Sequence, residues 1–167
     1  MSDLVKIAKI EISNSNKLCV IAGLNVLEDD QLTFEVAERL KKITEAQGNS
    51  FVFKASFDKA NRSSVDSYRG PGLEKGLEIF RELKKSDYQL ITDIHEISQV
   101  EQISEVVDII QIPAFLCRQT DLIKEACQSG KPLNIKKGQF LSPDQMKNII
   151  EKCSNFGNDE VMLCERG

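Results

Sequence analysis

At 167 residues, 41% hydrophobic and 29% charged, the chain has the composition of an ordered domain able to bury a core, which excludes an intrinsically disordered polypeptide. A formal net charge of −4 and a pI near 5.2 exclude a general nucleic-acid binder, whose phosphate contacts need a broad basic surface. No apolar run approaches the ~18 residues of a membrane helix, and Asp3, Lys6 and Lys9 interrupt the N-terminal MSDLVKIAKI, so neither a span nor a signal peptide is expected and the protein is placed in the cytosol.

In chain order, Val5–Ser13 alternates apolar and polar residues and is followed by Asn14-Ser15-Asn16, which predicts a short N-terminal hairpin against the first core strand. Six short apolar runs follow as strands: Cys19–Ala22, Phe51–Phe53, Gln89–Thr92, Asp108–Ile112, Pro132–Ile135 and Glu160–Cys164. Helical patterns separate them. Leu32, Val36, Leu40 and Ile43 fall on one face of a helix over Gln31–Glu45, and Leu73, Leu77, Phe80 and Leu83 repeat in the same way. Val100, Ile103 and Val107 suggest a third helix, and Leu122, Ile123 and Ala126 a fourth. Met146, Ile149, Ile150 and Cys153 suggest a fifth, with Ser142 as N-cap, Pro143 at the first position and Gln145 three residues after the cap.

Strands alternating with single helices imply right-handed βαβ units and a parallel sheet. Polar residues stand at or just past the carboxyl end of every run: Asn25, Lys54 with Ser56, Asp93, Gln111, Lys136 and Arg166. Six βα units could form an open doubly wound sheet or part of a barrel, and in a TIM-type (β/α)8 barrel these ends share one mouth, which favours the barrel. The expected fold is therefore α/β, a barrel of that type with about six βα units, read as a single partial domain over residues 1–167. The cysteines, Cys19, Cys117, Cys127, Cys153 and Cys164, are odd in number and form no CxxC pair, which argues against a disulfide framework or a zinc knuckle.

Chemistry concentrates in Lys54–Gly72. Lys54, Lys59, Arg62 and Arg69 fall within 16 residues that hold only two acids, Asp58 and Asp66. Guanidinium forks, lysine point charges and serine and asparagine donors suit phosphate and carboxylate groups, so a compact anion is the expected partner. The bland alternative is a solvated basic loop. Neither GxxxxGK nor GxGxxG occurs, so this is no Walker or dinucleotide loop.

The segment KASFDKANRSSVDSYRGPG, together with TDIHE (Thr92–Glu96), IIQIPAFLCRQTDL (Ile109–Leu122), NIKKGQFLSP (Asn134–Pro143) and CERG (Cys164–Gly167), resembles the 3-deoxy-D-manno-octulosonate 8-phosphate synthase family from about Leu18 onward. The resemblance implies condensation of phosphoenolpyruvate with D-arabinose 5-phosphate and release of phosphate. It assigns Lys54, Ser56, Gln111, Lys136 and Arg166 to phosphoenolpyruvate. Lys59 would lie between the substrates. Asn61, Arg62 and Ser63 would hold the sugar phosphate, Asn25 and Asp93 would face the reacting carbons, and Phe115 would wall the site. Either Lys59 or Lys136 would serve as proton donor or electrostatic stabiliser. Both substrates are anions, and fixed cations in a closed site would offset their repulsion.

Some members of the family hold a divalent metal partly through a cysteine in Gly-Pro-Cys, where this chain has Gly23-Leu24-Asn25. A neutral amide is a poor substitute for a thiolate, so the metal-independent branch, with no metal and no cofactor, is expected. His95, the only histidine, is read as structural or a minor site member rather than a ligand. Gly138 stands where many members have proline and is expected to affect loop stiffness only. The family pattern continues beyond CERG through two more strands and helices. Residues 1–167 are therefore expected to carry part of a longer protein's site, and a homotetramer is expected only with a full barrel. The alternatives are the sister synthase acting on erythrose 4-phosphate, whose corresponding motif reads more like KPRTS, and a non-catalytic remnant that binds phosphosugars.

Overall fold

Val5, Ile7, Ile10 and Ile12 alternate with polar residues and form a hairpin, with its turn earlier than the Asn14-Ser15-Asn16 cluster suggests. In the computed structural model, which describes residues 4–166, β1 (Val5–Ile7) and β2 (Ile10–Ile12) pair antiparallel with Ile7 opposite Ile10. Ala8 turns the chain at a φ of 50°. A two-residue connection needs such positive φ to match the twist of its strands. Asn14–Asn16 instead closes a turn on the Ser13 hydroxyl, which accepts from the backbone N–H of Ser15 at 3.3 Å and of Asn16 at 3.2 Å. The hairpin is a two-stranded sheet of its own, not an extension of the core sheet. Asp3 and Gly167, which belong to the N-terminal and CERG segments, lie outside the described residues.

The six apolar runs all become strands: β3 (Cys19–Gly23), β4 (Ser50–Lys54), β5 (Leu90–Asp93), β6 (Ile109–Ile112), β7 (Leu133–Lys136) and β8 (Val161–Cys164). They form one sheet in the order of the chain, β3-β4-β5-β6-β7-β8. The pairs β3–β4, β4–β5, β6–β7 and β7–β8 are parallel. Sequential order separates a barrel from a doubly wound sheet. A doubly wound sheet reverses direction at a switch point, whereas unreversed right-handed crossovers keep every helix on one side. All four residues of β5 and of β6 are buried, whereas β3 and β8, at the ends of the order, are half-buried. The architecture is that of a TIM-type (β/α) barrel, with six βα-type strands present and an antiparallel hairpin before them.

Helices fall between the strands. They are α1 (Asp30–Ala46), α2 (Leu73–Lys85), a short α3 (Val100–Ser104), α4 (Thr120–Gln128) and α5 (Met146–Asn155). α1 is capped by Asp29, whose side chain accepts from the N–H of Leu32 at 2.8 Å. Its buried positions are Thr33, Ala37 and Thr44, a stripe rotated from the expected Leu32–Val36–Leu40–Ile43 face, and Ile43 is 56% exposed. Small and hydroxyl-bearing residues, not the larger apolar ones, thus fill its buried stripe. α2, α4 and α5 bury the expected faces, with Leu77, Phe80 and Leu83 on α2 and Met146, Ile149 and Cys153 on α5. Ser142 and Gln145 form the expected capping box, though around a 3-10 turn (Pro143–Gln145) that precedes α5. Compactness divides the chain into Lys17–Thr92 and a second unit made of the hairpin and the part from Asp93 onward.

Candidate functional site

Within Lys17–Thr92 the site residues gather where β4 ends. The register sets Gly23 beside Lys54 and Lys54 beside Ile91. A Cβ at Gly23 would stand 2.0 Å from the Lys54 carbonyl oxygen, so β3 can end here only on a glycine. Beyond it, Leu24 N–H donates to the Lys54 carbonyl and Leu27 N–H to the Ser56 carbonyl, both at 2.9 Å. These two bonds bracket Asn25 and lay its turn along Lys54–Ser56. Asn25 itself is exposed. Lys54 is half-buried, and Ser56 is buried, with its hydroxyl accepting from Lys59 Nζ at 2.8 Å. Buried Thr92 donates to the Ala55 carbonyl at 2.7 Å and steadies the same segment.

The loop after β4 folds back on itself. Lys59 N–H donates to the Arg69 carbonyl at 2.6 Å, and Gly72 N–H to the Phe57 carbonyl at 3.1 Å. Gly70, at a φ of 125°, packs its Cα side against Phe57, where a Cβ would lie 2.3 Å from the carbonyl oxygen. Two bonds at the base leave Asn61, Arg62 and Ser63 at an exposed tip. Arg62 Nε donates to the Tyr68 carbonyl at 3.1 Å, and the Tyr68 hydroxyl donates to the Leu27 carbonyl at 3.0 Å. Arg69 grips both oxygens of Asp58, with Nε 2.8 Å from Oδ1. Of the four cations of this segment, Arg69 is thus committed to a neighbouring carboxylate.

In the second unit, Asp93 is buried and its Oδ2 lies 3.3 Å from His95 Nε2. The Gln99 side chain accepts from the N–H of His95 at 2.8 Å and of Glu96 at 3.3 Å, which fixes the turn after β5. His95 therefore serves the carboxylate of a candidate site residue. Gln111, 2% exposed, meets Asn134 across β6 and β7, with Nδ2 of Asn134 3.5 Å from its Oε1. Lys136 ends β7 half-buried and is paired in register with Cys164, two residues before the exposed Arg166. Phe115 is 56% exposed on a 3-10 turn (Ala114–Leu116). Gly138 packs beside that turn: a Cβ there would stand 3.0 Å from the Ala114 carbonyl and 2.6 Å from the Phe140 ring, so this glycine sets the local packing.

Asn134, which meets Gln111, and Lys137, which is buried with its Nζ donating to the Leu141 carbonyl at 3.2 Å, lie beside these candidates and were not singled out in the sequence. Asn134 had a usable signal, since it lies two residues before Lys136 on the same face of a strand. Lys137 had none. All five cysteines are free; Cys117, Cys127 and Cys153 are buried, and burial pushes the Cys19 thiol up. Among the described residues no cluster of three or more His, Cys, Asp or Glu side chains could hold a metal, and no helix is long and apolar enough to cross a membrane.

The strand order and the cationic and amide side chains at the carboxyl ends define a class, a (β/α)-barrel protein with a polar strand-end face. Comparison with known proteins narrows it. Residues 3–167 match the DAHP synthetase I family, and the chain belongs to that family. It is 53% identical over 165 residues to the 2-dehydro-3-deoxyphosphooctonate aldolase of Haemophilus influenzae and 54% identical over 165 residues to that of Pasteurella multocida, in each case over 98% of this chain and 58% of the relative. The protein of the same name from Bdellovibrio bacteriovorus is 53% identical over 98% of this chain and 57% of its own length. The chain spans a little under three-fifths of the length of these curated relatives.

Proposed function

We propose that the chain supplies strand-end residues of a cytoplasmic synthase that joins phosphoenolpyruvate to D-arabinose 5-phosphate. The observation that carries this reading is identity of 53–54%, over 98% of the chain, to proteins named 2-dehydro-3-deoxyphosphooctonate aldolase. Residues 1–167 are then one barrel-type domain contributing six of its strands, and a homotetramer is the expected assembly of the full barrel.

In this reaction the enol carbon of phosphoenolpyruvate bonds to the aldehyde carbon of the sugar, the aldehyde oxygen takes up a proton, water adds to the adjacent carbon, and inorganic phosphate leaves. Lys54, Ser56, Gln111, Lys136 and Arg166 bind phosphoenolpyruvate. Asn61, Arg62 and Ser63, at the tip of the loop after β4, bind the sugar phosphate, a placement supported by their exposure. Lys59 stands between the two, and its bond to buried Ser56 holds its ammonium at the strand end. Asn25 and Asp93 face the reacting carbons, and Phe115 walls the site. Lys59 and Lys136 are the candidates to neutralise and protonate the aldehyde oxygen as it gains charge.

The test is phosphate release from phosphoenolpyruvate with each of two aldose phosphates. Release with arabinose 5-phosphate and none with erythrose 4-phosphate is expected. Release with the four-carbon sugar alone would overturn the assignment, and binding without release from either would favour a non-catalytic remnant.

A further inference from the structure

Period-two alternation along β7 puts Asn134 and Lys136 on one face of the sheet and Leu133 and Ile135 on the other, and Lys137, the residue after the strand, still bonds to β8 through its N–H and so continues the second face. The contact of Asn134 with Gln111 marks the first face as the one that carries candidate site residues. Lys137 points away from it, yet it is only 6% exposed. A buried ammonium is tolerated only where it is well partnered. Its Nζ donates to the carbonyl of Leu141 at 3.2 Å and, more weakly, of Gly138 at 3.5 Å, and lies 3.4 Å from Glu165 Oε1. Its backbone N–H donates to the Cys164 carbonyl at 2.9 Å. One residue therefore ties the end of β7, the loop Gly138–Leu141 and the segment after β8.

The two ends of this tie adjoin cations. Lys136 precedes Lys137 in the chain, and Arg166 follows Glu165. A carboxylate next to an arginine competes with any anionic ligand for the guanidinium. Holding Glu165 on the far side of the sheet removes that competitor.

We infer that Lys137 is a positioning residue: by engaging Glu165 and the Gly138–Leu141 loop it holds Lys136 and Arg166 ready for a small carboxylate- and phosphate-bearing anion. On the functional reading above, on which this inference rests, that anion is phosphoenolpyruvate. Glu165 is 64% exposed, so its ion pair alone is weak, and the buried bonds to the loop carbonyls anchor the ammonium.

The test uses the whole chain carrying Lys137→Met, which keeps the apolar stem and removes the charge, and Glu165→Gln, an exposed change that leaves folding intact. Hydrogen exchange reads the tie directly. In Lys137→Met the amides of Leu141 and Ser142, bonded to the Gly138 carbonyl at 3.0 Å and the Gln145 side chain at 2.8 Å, should exchange roughly tenfold faster while those of β3–β5 stay unchanged. Calorimetric titration reads the ligand. Lys137→Met should bind phosphoenolpyruvate roughly tenfold more weakly, the scale of one lost charge-assisted hydrogen bond, whereas Glu165→Gln, which removes only the weak pair and with it the competing carboxylate, should bind it within about twofold of the unaltered chain, as both variants should bind arabinose 5-phosphate. Unchanged exchange overturns the tie. Faster exchange with unchanged phosphoenolpyruvate affinity, or equal loss of both ligands, overturns the positioning role. If the unaltered chain binds arabinose 5-phosphate but not phosphoenolpyruvate, the functional reading and the ligand assigned here fail together, while the exchange result still reports whether the tie exists.

Discussion

Arg62 and Arg69 sit in one loop with different commitments. Arg69 spends its fork on Asp58 and so braces the base of the loop, whereas Arg62 bonds the Tyr68 carbonyl through Nε, which orients the guanidinium at an exposed tip. A sugar phosphate meeting that tip would find a planar donor already aimed. Arg62→Ala is therefore expected to weaken arabinose 5-phosphate binding roughly tenfold or more, the loss of a charge-assisted contact, with phosphoenolpyruvate binding unchanged. Titration calorimetry with each ligand separates the two, and equal affinity of the variant for the sugar would remove Arg62 from the phosphate site. Residue types alone made Lys54, Ser56, Lys59 and Arg62 candidates for binding an anion. They could not show that Asp58 withdraws Arg69, because that pairing depends on the loop folding back across 11 residues.

At the scale of elements, α2 packs against the base of the loop before it. Gly76 lies inside the helix, where glycine is worth about 1 kcal/mol less than alanine. A Cβ at this position would stand 2.5 Å from Phe57 Cβ, and Phe57 is 2% exposed at the base of the site loop. Overpacking a buried ring costs about 1–3 kcal/mol, which exceeds the propensity gain. Gly76→Ala is thus expected to lower stability by about 1 kcal/mol rather than raise it, as measured by the urea unfolding midpoint; a raised midpoint would mean that Phe57 moves aside freely. The periodic pattern located this helix and its buried Leu77, Phe80 and Leu83 correctly. It misjudged α1, whose buried stripe is Thr33, Ala37 and Thr44, and the hairpin turn, where Ala8 accepts positive φ in place of the Asn-Ser-Asn cluster.

For the whole molecule, the strand order runs without reversal, and barrels of this type carry their sites at the carboxyl ends of the strands. Asn25 offers a neutral amide at the position where the family resemblance implies a cysteine in metal-dependent members, and half-buried Cys19, raised in pKa, lies within β3. A chelator such as EDTA is accordingly expected to leave phosphate release unchanged; activity that disappears with chelator and returns with added divalent metal would overturn this. The sequence by itself determined the alternation of strands and helices, pointed to a barrel and concentrated cations in Lys54–Gly72, because hydrophobic period and local charge are properties of neighbouring residues. Only the tertiary structure decided the strand order, the face of α1 that is buried, the commitment of Arg69 to Asp58 and the tie from Lys137 to Glu165. Each of these joins residues separated along the chain, and burial strengthens such contacts or makes them costly in a way that no local pattern records.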